Sequence, residues 1–291
     1  MRPSTALGAT RAFCITAVLL TVTAVVLPAQ RNRDRDRPFG LSEDEWCRQD
    51  RRADFCEVRE ETLRNQSTID LDARGNGGVQ IRGWDRSDVQ MRARVTVWDD
   101  SRDAAEQVAK QVQISTGGGR IRADGPRDRR DRRFRFRDGD DYRYWSVTYE
   151  LQVPRKADVR VDATNGGIIV EDVRGRIDAK TVNGGIVFGD VNGDIRGETV
   201  NGGVRAELTN EKWDGPGLDL TTVNGGVTLA VPSGFSGELD ARTANGGISV
   251  DFPITISGLI NSRRQIRGTL GSGGAQIRLS AVNGGISISR R

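Results

Sequence analysis

The 291-residue chain contains no histidine, which removes Ser-His-Asp and Cys-His nucleophile systems and imidazole-ligated metals at the outset. Three groups of residues remain whose types and spacing could do chemistry. One is the pair Cys47 and Cys56, nine residues apart. Another is a stretch of alternating arginine and aromatic side chains near the middle of the chain. The third is a set of Asn-Gly-Gly triplets that recurs through the C-terminal half.

The arginine stretch has the most unusual composition. Residues 120–137 hold nine Arg against Asp124, Asp128 and Asp131, a local excess of +6, whereas the whole chain carries only +4. Arg127, Arg129, Arg130, Arg132, Arg133, Phe134, Arg135, Phe136 and Arg137 lead into Asp138-Gly139, and Tyr142, Tyr144 and Trp145 follow. Arg and aromatics alternating on both arms of an Asp-Gly turn suggest a hairpin with one basic and one aromatic face. Guanidinium forks grip phosphate, sulfate or carboxylate, and the rings stack on bases or sugar faces, so these twelve side chains are the candidate binding set. The competing reading is a solvated loop whose Asp residues neutralise its own Arg. Nearly neutral flanks argue against a nucleic-acid footprint beyond this segment and against any specific nucleic-acid partner.

Residues 1–29 read as a secretory signal peptide. Arg2 and Arg11 flank the start, residues 12–27 are uncharged and mostly apolar, and Pro28-Ala29 places a small residue at a cleavage point. The apolar run of 16 residues is short for a bilayer core of about 30 Å. Residues 30–66 form a charged N-terminal segment. An even cysteine pair in an exported chain predicts a Cys47–Cys56 disulfide acting as a staple.

From Asn165 the chain falls into nine-residue units: NGGIIVEDV, RGRIDAKTV, NGGIVFGDV, NGDIRGETV and NGGVRAELT. Asn-Gly-Gly begins at Asn76, Asn165, Asn183, Asn201, Asn224, Asn245 and Asn283, and two units make an 18-residue repeat. Asn and Gly tolerate positive φ, so each triplet is expected to corner the chain, with short Ile/Val/Thr strands between corners. A period this regular favours coils stacked in register with parallel neighbours over a hairpin meander, and stacked asparagines would hydrogen-bond from rung to rung. The asparagines are therefore structural corners. The second glycine of the calcium-binding nonapeptide pattern is replaced and no ligand Asp recurs, so no metal and no cofactor is expected. The last rung, ending after Ile288, would leave an edge strand exposed.

Residues 67–156 read as an N-terminal β region, ahead of the repeats at 157–291. Residues 68–73, 79–83, 88–98, 113–123 and 142–153 alternate as half-buried strands. Residues 101–112 switch to helical period, with Ser101 as N-cap. The fold class is all-β: a β-solenoid-like stack of short strands with Asn-Gly-Gly corners, joined to a β region with one short α-helix.

This order of elements resembles the bacterial putative-adhesin domain of unknown function. The residues that carry the likeness are the strands flanking Asn76-Gly77-Gly78, the short helix, Leu151-Gln152-Val153-Pro154, Ala157-Asp158-Val159-Arg160-Val161, the cornered repeats, Val231-Pro232-Ser233-Gly234-Phe235 and residues 266–274. The corner form Asn-Gly-Asp-Ile, frequent in that family, occurs once, at Asn192-Gly193-Asp194-Ile195. The resemblance implies an exported or membrane-attached β-solenoid and supplies no catalytic residues. The leading expectation is a non-catalytic protein of the periplasm or cell surface that presents a rigid stack to an anionic envelope polymer or an envelope protein. The alternatives are a periplasmic sensor of envelope stress acting through a protein partner, and a carbohydrate-active enzyme built on groups such as Asp219, Asp240 and Arg242.

Overall fold

A computed structural model of the chain describes residues 40–64, 66–126, 145–251 and 264–291. The expected signal peptide and eleven of the twelve candidate binding side chains, Arg127 through Tyr144, lie outside the described residues. The described chain is mostly β, in two large mixed sheets of ten strands each, with two short α-helices.

In the N-terminal part, helix α1 (Glu43–Cys47) precedes strands β1 (Phe55–Leu63), β2 (Thr68–Asn76), β3 (Val79–Trp84) and β4 (Val89–Val97). Helix α2 (Arg102–Gln111) leads to β5 (Gln113–Ser115), β6 (Arg120–Asp124) and β7 (Trp145–Pro154). The repeats then supply β8 (Asp158–Asn165), β9 (Ile168–Glu171), β10 (Arg174–Asn183), β11 (Ile186–Gly189), β12 (Asn192–Asn201), β13 (Val204–Glu207), β14 (Gly217–Asn224) and β15 (Val227–Val231). The C-terminal strands are β16 (Gly237–Asn245), β17 (Ile248–Val250), β18 (Gln265–Leu270), β19 (Gln276–Asn283) and β20 (Ile286–Arg290).

Each 18-residue repeat is one coil: a long strand in one sheet, an Asn-Gly-Gly corner, and a short strand in the other. Neighbouring coils pair in parallel and in register, so Ile177 lies between Val159 and Ile195, and Ile186 between Ile168 and Val204. Among the described residues the repeats form no hairpin meander. Among the described residues, antiparallel pairs are confined to β1–β4, β4–β7, β5–β6 and β16–β18. Strands β2 and β3 form the first coil, since they pair with β8 and β9 across Asn76 and Asn165.

Period-two alternation in the long strands points Ile177, Ile195, Leu218 and Ile277 inward against Ile168, Ile186, Val204 and Val227, all at most 1% exposed. Side-chain volume is balanced across the two sheets. Phe188 is fully buried, and a Cβ on Gly197 would lie 2.6 Å from its Cε2. Gly197 stands where β10 has Ala179 and β14 has Leu220, so the missing side chain makes room for the only large ring in that layer of the repeats.

All seven predicted corner asparagines join one continuous ladder. The Nδ2 of Asn165 donates to the Oδ1 of Asn76 at 3.0 Å, and Asn183, Asn201, Asn224, Asn283 and Asn245 follow at 2.8–2.9 Å. Two residues upstream, Thr181, Thr199, Thr222 and Thr243 donate to the glycine carbonyl of the neighbouring corner at 2.7–3.0 Å. The expectation that the glycines are needed for positive φ does not hold. Of the first glycines in the seven triplets, only Gly77 has a left-handed φ, at 138°. What demands glycine is close approach: a Cβ on Gly166, Gly184, Gly202, Gly225, Gly246 or Gly284 would overlap the backbone carbonyl of the corner beside it. The left-handed residues sit at the opposite corner instead, at Asp172 (φ 59°) and Asp190 (φ 51°), where a short polar side chain tolerates that conformation.

Two further expectations are corrected. Residues 113–123 are two strands, because Gly117-Gly118-Gly119 turns the chain so that β5 pairs antiparallel with β6. Nor is the rung ending after Ile288 an edge. The C-terminal coil β19–β20 lies between β14–β15 and β16–β17, and the edges at that end of the two sheets are β17 and β18.

At the other end, Ser42 caps α1 in a reciprocal capping box with Glu45. Trp46, 3% exposed, lies beneath the Arg92 and Arg94 guanidinium groups at 5.1 and 5.4 Å. Ser101 caps α2 as expected, accepting from Ala104 N at 3.2 Å, and Ala105, Val108 and Ala109 are buried beneath it.

Asn201 makes two ladder bonds and Asn245, at the end, makes one. At roughly 0.5–1.5 kcal/mol per bond, Asn201→Ala is expected to lower stability by about 1–3 kcal/mol and Asn245→Ala by about half as much. Gly202→Ala should exceed about 3 kcal/mol, because the neighbouring backbone has nowhere to move. Urea midpoints of the three variants check the order; equal midpoints would refute the close-approach argument.

Candidate functional site

The Arg-aromatic segment connects β6 in one sheet to β7 in the other, and its two ends are tied together. Trp145, the one candidate binding residue inside the described chain, donates from Nε1 to the Pro126 carbonyl at 3.1 Å. Its ring packs on Gly125, where a Cβ would lie 2.7 Å from the indole. Pro126 and Trp145, the described residues on either side of 127–144, are thereby held together. The sequence of that stretch holds eight Arg against five Asp.

Beside this point is a cleft of about 370 Å³ lined by Asp72, Arg74, Gly75, Arg122 and Ala123. Parallel pairing of β2 with β6 sets Asp72 opposite Arg122. Arg74 clasps Asp72 with both Nε (2.9 Å) and Nη2 (2.6 Å), and this hydrogen bonding holds the Asp72 carboxyl below its ordinary range and raises the Arg74 guanidinium. Arg122 pairs with Asp124 at 2.7 Å. The two cations of the cleft mouth thus each have a carboxylate. Behind the cleft wall, Tyr149 on β7 is 1% exposed and its hydroxyl has no hydrogen-bond partner among the described residues. Burial first, then the Asp72 and Asp124 charges, push the phenol above its ordinary value of 10.0.

The outer face of the sheet containing β2 is a charge lattice that sequence reasoning missed. One register row runs Arg120, Asp70, Arg160, Asp178, Arg196, Asp219, Arg278, Asp240, Arg267, alternating in sign across nine strands. The row's ends are close ion pairs, Arg120–Asp70 at 3.9 Å and Arg267–Asp240 at 3.3 Å. Burial works to raise the Asp240 carboxyl, but Arg242 and Arg267 together hold it below its ordinary value. The signal was present in the repeats, where Arg160, Asp178 and Arg196 follow one another at 18-residue spacing with alternating sign.

Arg278 stands between Asp219 and Asp240 in the register, and Arg242 is engaged by Asp240. Cys47 and Cys56 form the expected disulfide, with Cα atoms 5.7 Å apart. Among the described residues no group of three or more carboxylate or cysteine side chains is placed to hold a metal ion.

Removing the unpartnered Tyr149 hydroxyl should cost nothing. Tyr149→Phe is expected to be neutral or stabilising by up to about 1 kcal/mol at pH 7. Because the folded phenol is raised above its unfolded value, its contribution is complete below pH 10 and is lost as pH climbs further. Stability of the wild type should therefore fall more steeply than that of Tyr149→Phe above pH 10. A loss above 1 kcal/mol at neutral pH would mean that the hydroxyl has a partner.

No family profile and no curated protein matches the chain. Solved structures similar to it include a putative cell adhesion protein from Clostridium sporogenes, at 10% identity, TM-score 0.41, over 81% of this chain and 100% of the other. A putative adhesin from Bacteroides fragilis aligns at 10% identity, TM-score 0.38, over 82% and 99%. A putative lipid binding protein from Parabacteroides distasonis aligns at 9% identity, TM-score 0.28, over 81% and 96%. Two of these three neighbours carry the putative-adhesin or cell-adhesion label that the sequence motifs also resemble.

Proposed function

We propose that this chain is a non-catalytic, exported envelope or surface protein whose parallel coils form a rigid β-solenoid, and that residues 127–144, with Trp145 at their base, engage a polyanionic polymer. One contrast carries the reading. On the outer face of the β2-containing sheet, arginines alternate with aspartates in register, so that face offers a polyanion little net attraction. The connection rooted at Trp145 instead holds a surplus of arginine, eight against five Asp, interleaved with Phe134, Phe136, Tyr142 and Tyr144. Guanidinium forks match sulfate, phosphate and carboxylate geometry, and the rings supply apolar and stacking contacts. The Cys47–Cys56 disulfide supports residence in an oxidising compartment. The likeness between neighbouring coils and the continuous Asn ladder support the solenoid reading.

Fluorescent heparin, polyphosphate and anionic lipid vesicles are suitable probes. Wild type is expected to bind at least one of them with an affinity that falls steeply with salt, through release of counterions. Replacing Arg129, Arg130, Arg132, Arg133, Arg135 and Arg137 with Gln should weaken that binding at least about ten-fold and flatten the salt slope. Arg196→Gln on the sheet face should leave it unchanged. Equal binding by the six-fold variant and wild type, or no binding by either, would sink the polyanion reading.

A further inference from the structure

The C-terminal coil is out of sequence order. Strands β16–β17 precede β19–β20 in the chain, yet β19 lies between β14 and β16, and β20 between β15 and β17. The later segment is therefore held on both sides, and the earlier one is displaced outward by one place.

Most of what holds the coils together cannot tell these positions apart. Asn245 and Asn283 belong to identical Asn-Gly-Gly corners, and either would continue the ladder from Asn224. Both long strands turn apolar residues inward, Leu239 and Ala241 in one, Ile277 and Leu279 in the other. The outward charge row is different. In the observed order, Arg278 separates Asp219 from Asp240. Direct stacking of β16 on β14 in the same register would set Asp240 against Asp219, with no cation between them.

We infer that Asp219, Arg278 and Asp240 decide where the C-terminal coil goes: the two aspartates disfavour direct stacking of β16 on β14, and the place between them accepts a coil bearing a cation. The rival determinant is β18. It pairs antiparallel with the outer edge of β16 from Gly237 to Arg242, and by occupying that edge it would leave β19 only the inner one.

Cysteine pairs on the other sheet report the order without touching the charges. Ser287 on β20 is in register with Thr228 on β15 and with Ser249 on β17. A Thr228→Cys/Ser287→Cys pair can close only when the C-terminal coil is inserted. A Thr228→Cys/Ser249→Cys pair spans two strand spacings, about 9.6 Å, in the inserted order and closes only in direct stacking. Both pairs are placed in the full chain with Cys14→Ser and with Cys47 and Cys56 retained, and oxidised after refolding.

With the native charges the first pair should crosslink at least about ten-fold more than the second. Exchanging the charges, Asp240→Arg with Arg278→Asp, keeps the net charge but makes direct stacking the alternating order, and the ratio should fall at least ten-fold. If that variant fails to fold, Asp240→Asn with Arg278→Gln decides: appearance of both crosslinks supports the inference. A folded variant of either kind that still gives only the Thr228–Ser287 crosslink overturns it and assigns the order to β18.

Discussion

Everything in the stacked part of this protein depends on how closely two corner backbones can approach. At six of the seven Asn-Gly-Gly triplets the first glycine faces a carbonyl of a neighbouring corner at a distance that excludes a Cβ, and at the seventh Gly77 faces the Val147 carbonyl just as closely. That approach lets Gly184 N donate to the Asn201 carbonyl at 3.1 Å while Asn201 donates back to the Asn183 side chain at 2.8 Å and Thr199 donates to the Gly184 carbonyl at 2.8 Å. Three bonds between these two corners are thus closed by one absent methyl group. Parallel strands elsewhere in the coils follow the spacing set there, about 4.8 Å, which is also the spacing at which small β-branched and aliphatic side chains fill a two-sheet core.

The N-terminal strands solve a different problem, the termination of a parallel stack. Parallel β7, then antiparallel β4 and β1, carry one sheet beyond the first coil, and parallel β6, then antiparallel β5, carry the other. Arg59 on the edge strand β1 donates to the Ala109 carbonyl at the end of α2, so the helix is fastened to that edge. The α1 segment is tied to β1 by the disulfide and to β4 by Trp46 beneath two guanidinium groups and by Arg92, which reaches the Leu41 carbonyl and Glu150. Burial raises the Glu150 carboxyl above its ordinary value even with Arg92 at 2.9 Å, which marks this as a desolvated junction and not a surface ion pair. Edges covered in this way are poor templates for further pairing.

What was legible in the sequence divides along physical lines. The coil period, the seven corner asparagines, the helix with its Ser101 cap and the cysteine pair are local patterns, and local patterns survive in one dimension. The reason for the corner glycines was not legible, because left-handed φ and close approach select the same residue; Asp172 and Asp190 are the non-glycine residues with left-handed backbone among those described. The break at Gly117–Gly119 was hidden by alternation that continues on both sides of it. Coil order was not legible either, since the ladder and the core are degenerate from coil to coil. The cleft brings Asp72 and Arg122 together across fifty residues through the β2–β6 pairing, a contact no periodicity announces. Of the proposed binding residues, only Trp145 has a described environment, and it is an anchor at the base of the segment.

The inserted coil also governs how the molecule would carry load. A terminal strand at the edge of a sheet can be peeled away one hydrogen bond at a time under tension. Strand β20 lies inside its sheet, bonded to β15 on one side and β17 on the other. Tension applied along β20 therefore acts on two ladders at once, and the bonds of both are loaded together in shear. A stack built this way resists a pull along an interior strand better than a pull on an edge.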